Sequence, residues 1–113
     1  MNKREIGATY EKKAVDLLLK KGYDVLETNY RNRMGEIDII AKDGAYICFI
    51  EVKFRTNDAF GSPLEAVDRK KQKQIRKVAI HYLMCHGGNE WTPCRFDVIA
   101  YQGEDVTHLE NAF

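Results

Sequence analysis

Long apolar runs are missing from this sequence. None, Ile39 to Ala41 included, approaches the ~20 residues that a membrane helix needs, and no stretch of signal-peptide length follows the charged opening Met1 to Glu5. A membrane span and export are therefore not expected. Cysteine is scarce as well: the 3 residues Cys48, Cys85 and Cys94 are odd in number and show no CxxC spacing. That argues against a disulfide framework and against a zinc site, and for reduced thiols in a cytoplasmic protein. Net charge is nearly absent, with 18 basic against 17 acidic residues, so disorder driven by like charges is not indicated. There is no internal repeat and no low-complexity tract. What remains is 113 residues, 44% of them hydrophobic, enough for one packed core and too few for two, so residues 1–113 read as a single domain.

The balanced total hides an uneven distribution. Lys53 to Lys77 carries eight basic residues against Asp58, Glu65 and Asp68, whereas His86 to Phe113 sets Arg95 alone against five acids. A basic segment of this kind can mark a phosphate-binding face, and it can equally be a solvated helix face.

Periodicity divides the chain. From about Arg4 to Lys21, Gly7, Glu11, Ala14 and Leu18 fall on one helical stripe, with Gly22 as its stop and Lys20 and Lys21 in the cation-favouring last turn. Tyr23 to Tyr30 is rich in strand formers. Gly35 to Lys42 and Ala45 to Phe54 read as strands joined by a hairpin at Asp43-Gly44. Ser62-Pro63-Leu64-Glu65 has the form of a capping box opening a second helix, whose buried stripe would hold Val67, Lys71, Gln74, Ile75, Val78 and Tyr82 and which Gly87-Gly88 ends. Arg95 to Tyr101 supplies a further strand, and Val106 to Leu109 a short edge. The expected class is α/β, in the order α-β-β-β-α-β.

Both faces of the strand from Ala45 begin apolar, which places it in the middle of a sheet. Glu51 and Lys53 emerge at its end, where an unpaired charge is costly. With Asp43 and Gly44 as the loop, Asp38 would oppose Phe49 and Glu36 would oppose Glu51. Glu36, Asp38, Glu51 and Lys53 would then share a face, with Asp38 and Glu51 diagonal neighbours roughly 7–8 Å apart. Carboxylates gathered in this way repel unless a cation joins them. Lys53 can serve one, and a hard divalent ion, Mg²⁺ or Mn²⁺, can take oxygen ligands from the others. Glu11, on a stripe that should be apolar, raises the same question, as do Lys71 and Gln74.

These pieces resemble the PD-(D/E)xK nuclease superfamily and, within it, the YraN-like family of small bacterial proteins related in fold to archaeal Holliday junction resolvases. The matching parts are Gly7 to Ala14, Asn29 to Arg33, Gly35-Glu36-Ile37-Asp38, Phe49-Ile50-Glu51-Val52-Lys53 with Arg55, Phe60-Gly61, Lys71, Arg95-Phe96-Asp97-Val98 and the ending from His108 to Phe113. The resemblance implies a restriction-endonuclease-like core, a mixed central sheet flanked by helices. It also implies Asp38 as the first aspartate, Glu51 as the second acid, Lys53 as the lysine and Glu11 as an added acid at the metal. Ile37 stands where the superfamily motif has proline, a change of backbone rather than of chemistry.

The function this implies is metal-dependent hydrolysis of nucleic-acid phosphodiesters, on branched or single-stranded DNA. Asp38, Glu51 and the Val52 carbonyl would hold Mg²⁺ or Mn²⁺, Lys53 would position water or stabilise negative charge, and Glu11 would bind a metal water or a second ion. Arg55, Arg69, Lys70, Lys71 and Lys73 would grip the backbone. Glu36 is open between ligand, tuner of Asp38 and strand cap. Arg95 and Asp97 read as a structural pair across neighbouring strands, and His81, His86 and His108 as structural or exposed. Many nucleases of that fold act in pairs, so a homodimer is among the partners implied, though no dimer seam is legible. The rival readings are a non-catalytic nucleic-acid-binding module of a DNA-processing complex and a protein-interaction module.

Overall fold

A computed structural model of the chain describes residues 2–55 and 67–113. Among them the elements run α1 (Lys3–Lys20), β1 (Asp24–Asn32), β2 (Gly35–Asp43), β3 (Tyr46–Arg55), α2 (Arg69–Cys85), β4 (Cys94–Gln102) and β5 (Asp105–Leu109). This is a mixed α/β fold, and its five strands lie in sequence order across one sheet. β1–β2, β2–β3 and β4–β5 are antiparallel; β3 and β4 are parallel, joined by the segment that contains α2. No helix among the described residues is long and apolar enough to cross a membrane.

The two central strands are apolar on both faces because both faces are covered. From Cys48 to Val52 on β3, and from Phe96 to Tyr101 on β4, every residue is buried. On one face α1 contributes Ala14 and Leu18 to a core with Cys48, Ile50 and Ile99. On the other, α2 contributes Ile75, Val78, Ala79 and Tyr82 to a core with Ile40, Phe49 and Val98.

α1 begins at Asn2, whose side chain accepts the Glu5 N–H at 2.9 Å. It ends as the sequence suggests: Gly22 takes φ +88°, and Tyr23 N donates to Leu18 O while Gly22 N donates to Leu19 O, both at 3.0 Å. That pair of bonds satisfies carbonyls the helix leaves open. The start of α2 differs from the expectation. Its N-cap is Asp68, which accepts the Lys71 N–H at 2.8 Å. Val67 is a buried residue outside the helix. Ser62 to Glu65 lies outside the described residues.

The hairpin is offset by two residues from the expected one. Asp43 pairs with Tyr46, so the loop residues are Gly44 and Ala45 rather than Asp43 and Gly44. Only Gly44, at φ +59°, needs the left-handed region, so glycine occupies the first central position of the turn instead of the second. Along the paired stretch from Ile39 to Asp43, an offset of two keeps each side chain on its expected face but changes its neighbour. Phe49 now faces Ile40, and Ile50 faces Ile39.

Candidate functional site

The β2–β3 ladder runs from Asp43↔Tyr46 to Ile39↔Ile50. One residue further along β2 the pattern changes: the Asp38 carboxylate, rather than a backbone carbonyl, accepts the Val52 N–H at 2.8 Å. An extended residue turns its N–H and C=O to the same edge, so Val52 directs its carbonyl toward this opening too. Side-chain alternation slips at the same point. Ile37 joins Ile40 in the α2-side core, while Ile39 and Ala41 lie in the α1-side core. Across on β1, in register with Asp38, Asn29 takes φ +52°, a conformation asparagine tolerates better than most residues.

Glu51 follows Ile50 on β3 and is only 6% exposed. Burial pushes its carboxyl up to about 8, and the neighbouring Asp38 pushes the same way; Lys71 and then Lys53 oppose the rise. Lys53 Nζ lies 3.7 Å from Glu51 Oε1. Glu11 reaches the cluster from α1. Its carboxyl is raised to about 7 by burial, by the charge of Asp38 and a hydrogen bond shared with it, and by Glu36, against a hydrogen bond from Asn29. Asp38 therefore touches the electrostatics of both glutamates, and Glu11, Asp38, Glu51 and Lys53 are brought together as the sequence reading expected.

Lys71 belongs with them. Expected on the phosphate-gripping face, it acts on Glu51, and of the two lysines that do so it has the larger effect. Arg69, Lys70 and Lys73 are exposed on the first turns of α2, and Arg55 is exposed at the end of β3. Glu36 does not face Glu51. The shifted register removes that pairing, and Glu36 instead accepts from Arg31 Nη2 at 2.6 Å on β1. Gln74 is exposed, with its side chain where a Cβ on Gly35 would stand.

The donor set suits a hard divalent cation: two or three carboxylates whose mutual repulsion a cation would relieve, with the Val52 carbonyl beside them. Asp38 and Glu51 with that carbonyl would leave the remaining positions of an octahedral ion to water or phosphate oxygens. Among the described residues, no three carboxylate, imidazole or thiol side chains converge on one point as a ready-made ligand set.

A different kind of polar cluster lies on β4, toward the hairpin, where Asp97 pairs in register with Ile50. Asp97, wholly buried, accepts Arg95 Nε at 3.1 Å, His108 Nε2 at 2.9 Å and the Asn111 N–H at 3.0 Å. Burial raises its carboxyl, but these bonds outweigh it and hold the group below its ordinary range. Arg95 also donates to Asp43 Oδ2 at 2.9 Å and to the Tyr23 hydroxyl. The Arg95–Asp97 pairing expected from sequence is present, although the two are neighbours along one strand. His108 is more than a bystander: it joins Asp97 to Lys21 Nζ, 2.8 Å from its Nδ1. No spacing signal could have shown this, because Lys21 and His108 are far apart in the chain.

Comparison with known proteins adds a family. Residues 10–101 match the family described as "Uncharacterised protein family UPF0102". The chain belongs to the UPF0102 family. A UPF0102 protein of Lachnoclostridium phytofermentans is 45% identical over 113 residues, covering 100% of this chain and 96% of that one. One from Thermodesulfovibrio yellowstonii is 48% identical over 113 residues, covering 100% and 99%. Another, from Clostridioides difficile, is 50% identical over 115 residues, covering 100% of both. The span matched to UPF0102 contains Glu11, Asp38, Glu51, Lys53 and Lys71.

Proposed function

We propose that the cluster of Asp38, Glu51, Lys53 and Glu11 is the active site of a metal-dependent nuclease that hydrolyses phosphodiester bonds in nucleic acid, DNA above all. The observation that carries the reading is the convergence, where β2 leaves β3, of carboxyls raised to about 7 and about 8 with two lysines beside them. Perturbed acids gathered with specific charge partners are a recurrent mark of catalytic sites. The likeness of Asp38 and Glu51-Val52-Lys53 to the PD-(D/E)xK motif supports it, as does a mixed sheet with a helix on each face, in keeping with a restriction-endonuclease-like fold.

Asp38 and Glu51, with the Val52 carbonyl, would hold Mg²⁺ or Mn²⁺. The bound ion supplies a more acidic water and offsets charge on the phosphate. Lys53, 3.7 Å from Glu51, would stabilise negative charge developing on the phosphate. Glu11, its carboxyl raised to about 7, would accept a proton from the attacking water. Lys71 favours the ionised form of Glu51, against burial and Asp38. Arg69, Lys70 and Lys73, on the exposed start of α2, and Arg55 would hold the backbone without reading sequence.

The second reading is a non-catalytic nucleic-acid-binding module, favoured by the want of three converging ligand side chains among the described residues. Purified protein with Mg²⁺ or Mn²⁺, tested on labelled single-stranded, flap and junction DNA, separates the two. Cleavage is expected, lost in Asp38→Ala and Lys53→Ala variants that keep their circular dichroism. Salt-sensitive binding without cleavage under any of these conditions selects the second reading, and no binding at all removes both.

A further inference from the structure

A cavity of about 440 Å³ opens beside the carboxylates, with Glu11 and Glu36 on its wall. The residues that complete it depart, one after another, from what local stability would select. Gly7 lies inside α1, where glycine is less favourable than alanine. Its neighbours do not demand it: a Cβ there would touch only Phe54 Cε1, at an ordinary 3.8 Å. Lys3 and Arg4 occupy the first turn, the positive end of the helix dipole. Among the described residues neither has an ion-pair partner. Asn29 takes a left-handed conformation in the middle of β1. Such departures, gathered around one recess, are the expected signature of a functional surface.

We propose that this cavity is a nucleotide subsite. It would receive one unpaired nucleotide of a single strand next to the phosphodiester at the carboxylates, with a backbone phosphate at Lys3 and Arg4 and the sugar and base against Gly7 and Ala8. The inference rests on the phosphodiesterase reading of that cluster and deepens it. The volume falls within the ~300–1,000 Å³ typical of small-ligand pockets, and the lining suits the occupant: cations for phosphate, and a floor with almost no side chain for a flat group to approach closely. Arg31, held to Glu36, narrows the rim without offering a free charge. A base still paired in a duplex cannot enter a recess of this kind, so the subsite selects single-stranded or frayed substrate.

The test is binding of a fluorescein-labelled octathymidylate, followed by anisotropy in Ca²⁺ buffer so that a hard ion offsets the carboxylates. Ala8→Leu fills the cavity from an exposed helix position with a good helix former, so the fold is retained. It should weaken binding roughly tenfold, within the range seen for loss of one stacked base, without changing the salt dependence. Lys3→Gln with Arg4→Gln should lower the salt slope by about 0.7, the share of one phosphate on a single strand. Lys42→Gln, the same charge loss at the hairpin end, should bind as the wild type does. If Ala8→Leu and the double variant also match the wild type, the subsite is overturned and the phosphodiesterase reading stands. Octathymidylate that fails to bind while flap substrates are still cut overturns the subsite alone, whereas no binding and no cleavage overturns both.

Discussion

Glu51 is the residue whose environment is most at odds with its chemistry. Its carboxyl is raised to about 8, and that of Glu11 to about 7, against an ordinary value of 4.5. A carboxyl that holds its proton more tightly in the fold than in the unfolded chain favours the fold at low pH. The contribution is fully present below 4.5 and is lost as pH climbs through the folded values. The melting temperature of the metal-free protein should therefore decline from pH 4.5 through about 8. Glu51→Gln should flatten that decline and be more stable than wild type at its alkaline end, and saturating Mg²⁺ should restore the wild type more than the variant. Parallel melting curves for the two proteins would remove the electrostatic account of the cluster.

Along α1, two glycines make opposite predictions from one element. Gly7→Ala replaces a helix-interior glycine where a Cβ has room, and should stabilise the protein by about 0.5–1 kcal/mol. Gly22→Ala forces a side chain into the left-handed conformation that closes the helix, and should destabilise it by about 1–2 kcal/mol. Thermal melting of the two variants should show shifts of opposite sign. The same element shows what the sequence could reveal. Helical phase alone put Glu11 on the buried stripe with Ala14 and Leu18, because a period of 3.6 fixes which face a residue takes. Parity did the same for Glu51 and Lys53 on β3, but not for Asp38, because alternation on β2 slips between Ile39 and Ile37. Nor could parity fix distance. The offset removed Glu36 from Glu51, and the capture of the Val52 N–H by Asp38 depends on where a ladder stops, which no local pattern encodes. Lys71 was legible as an oddity on an apolar stripe, but its partner lies on another element. The contact of His108 with Asp97 arises only when the last strand folds back on β4.

Taken as a whole, the molecule has two polar clusters that start from adjacent register positions, Glu51 on β3 and Asp97 opposite Ile50 on β4, and extend in opposite directions along the strands. Phe54, near the end of β3, meets Gly7 and stacks on Tyr10 with ring centroids 4.7 Å apart, so α1 begins where β3 finishes, and α2 sends Lys71 to the same end. There the carboxylates are left short of positive charge. At the hairpin end Arg95, His108 and the Asn111 N–H saturate Asp97. That second cluster should hold the fold rather than serve chemistry. Asp97→Ala leaves a guanidinium that is only 12% exposed without its main partner, and urea denaturation should show a loss of about 3–5 kcal/mol, a large share of the stability of a domain this size. A loss below about 1 kcal/mol, the scale of a surface pair, would contradict the assignment. The first cluster carries its own indicator. Because the Val52 amide proton rests on the Asp38 carboxylate instead of a strand carbonyl, its nuclear magnetic resonance frequency is tied to whatever that carboxylate binds. One peak in a nitrogen–proton correlation spectrum should move when Mg²⁺ is titrated in, while the amide of Cys48, deep in the same strand, stays where it is.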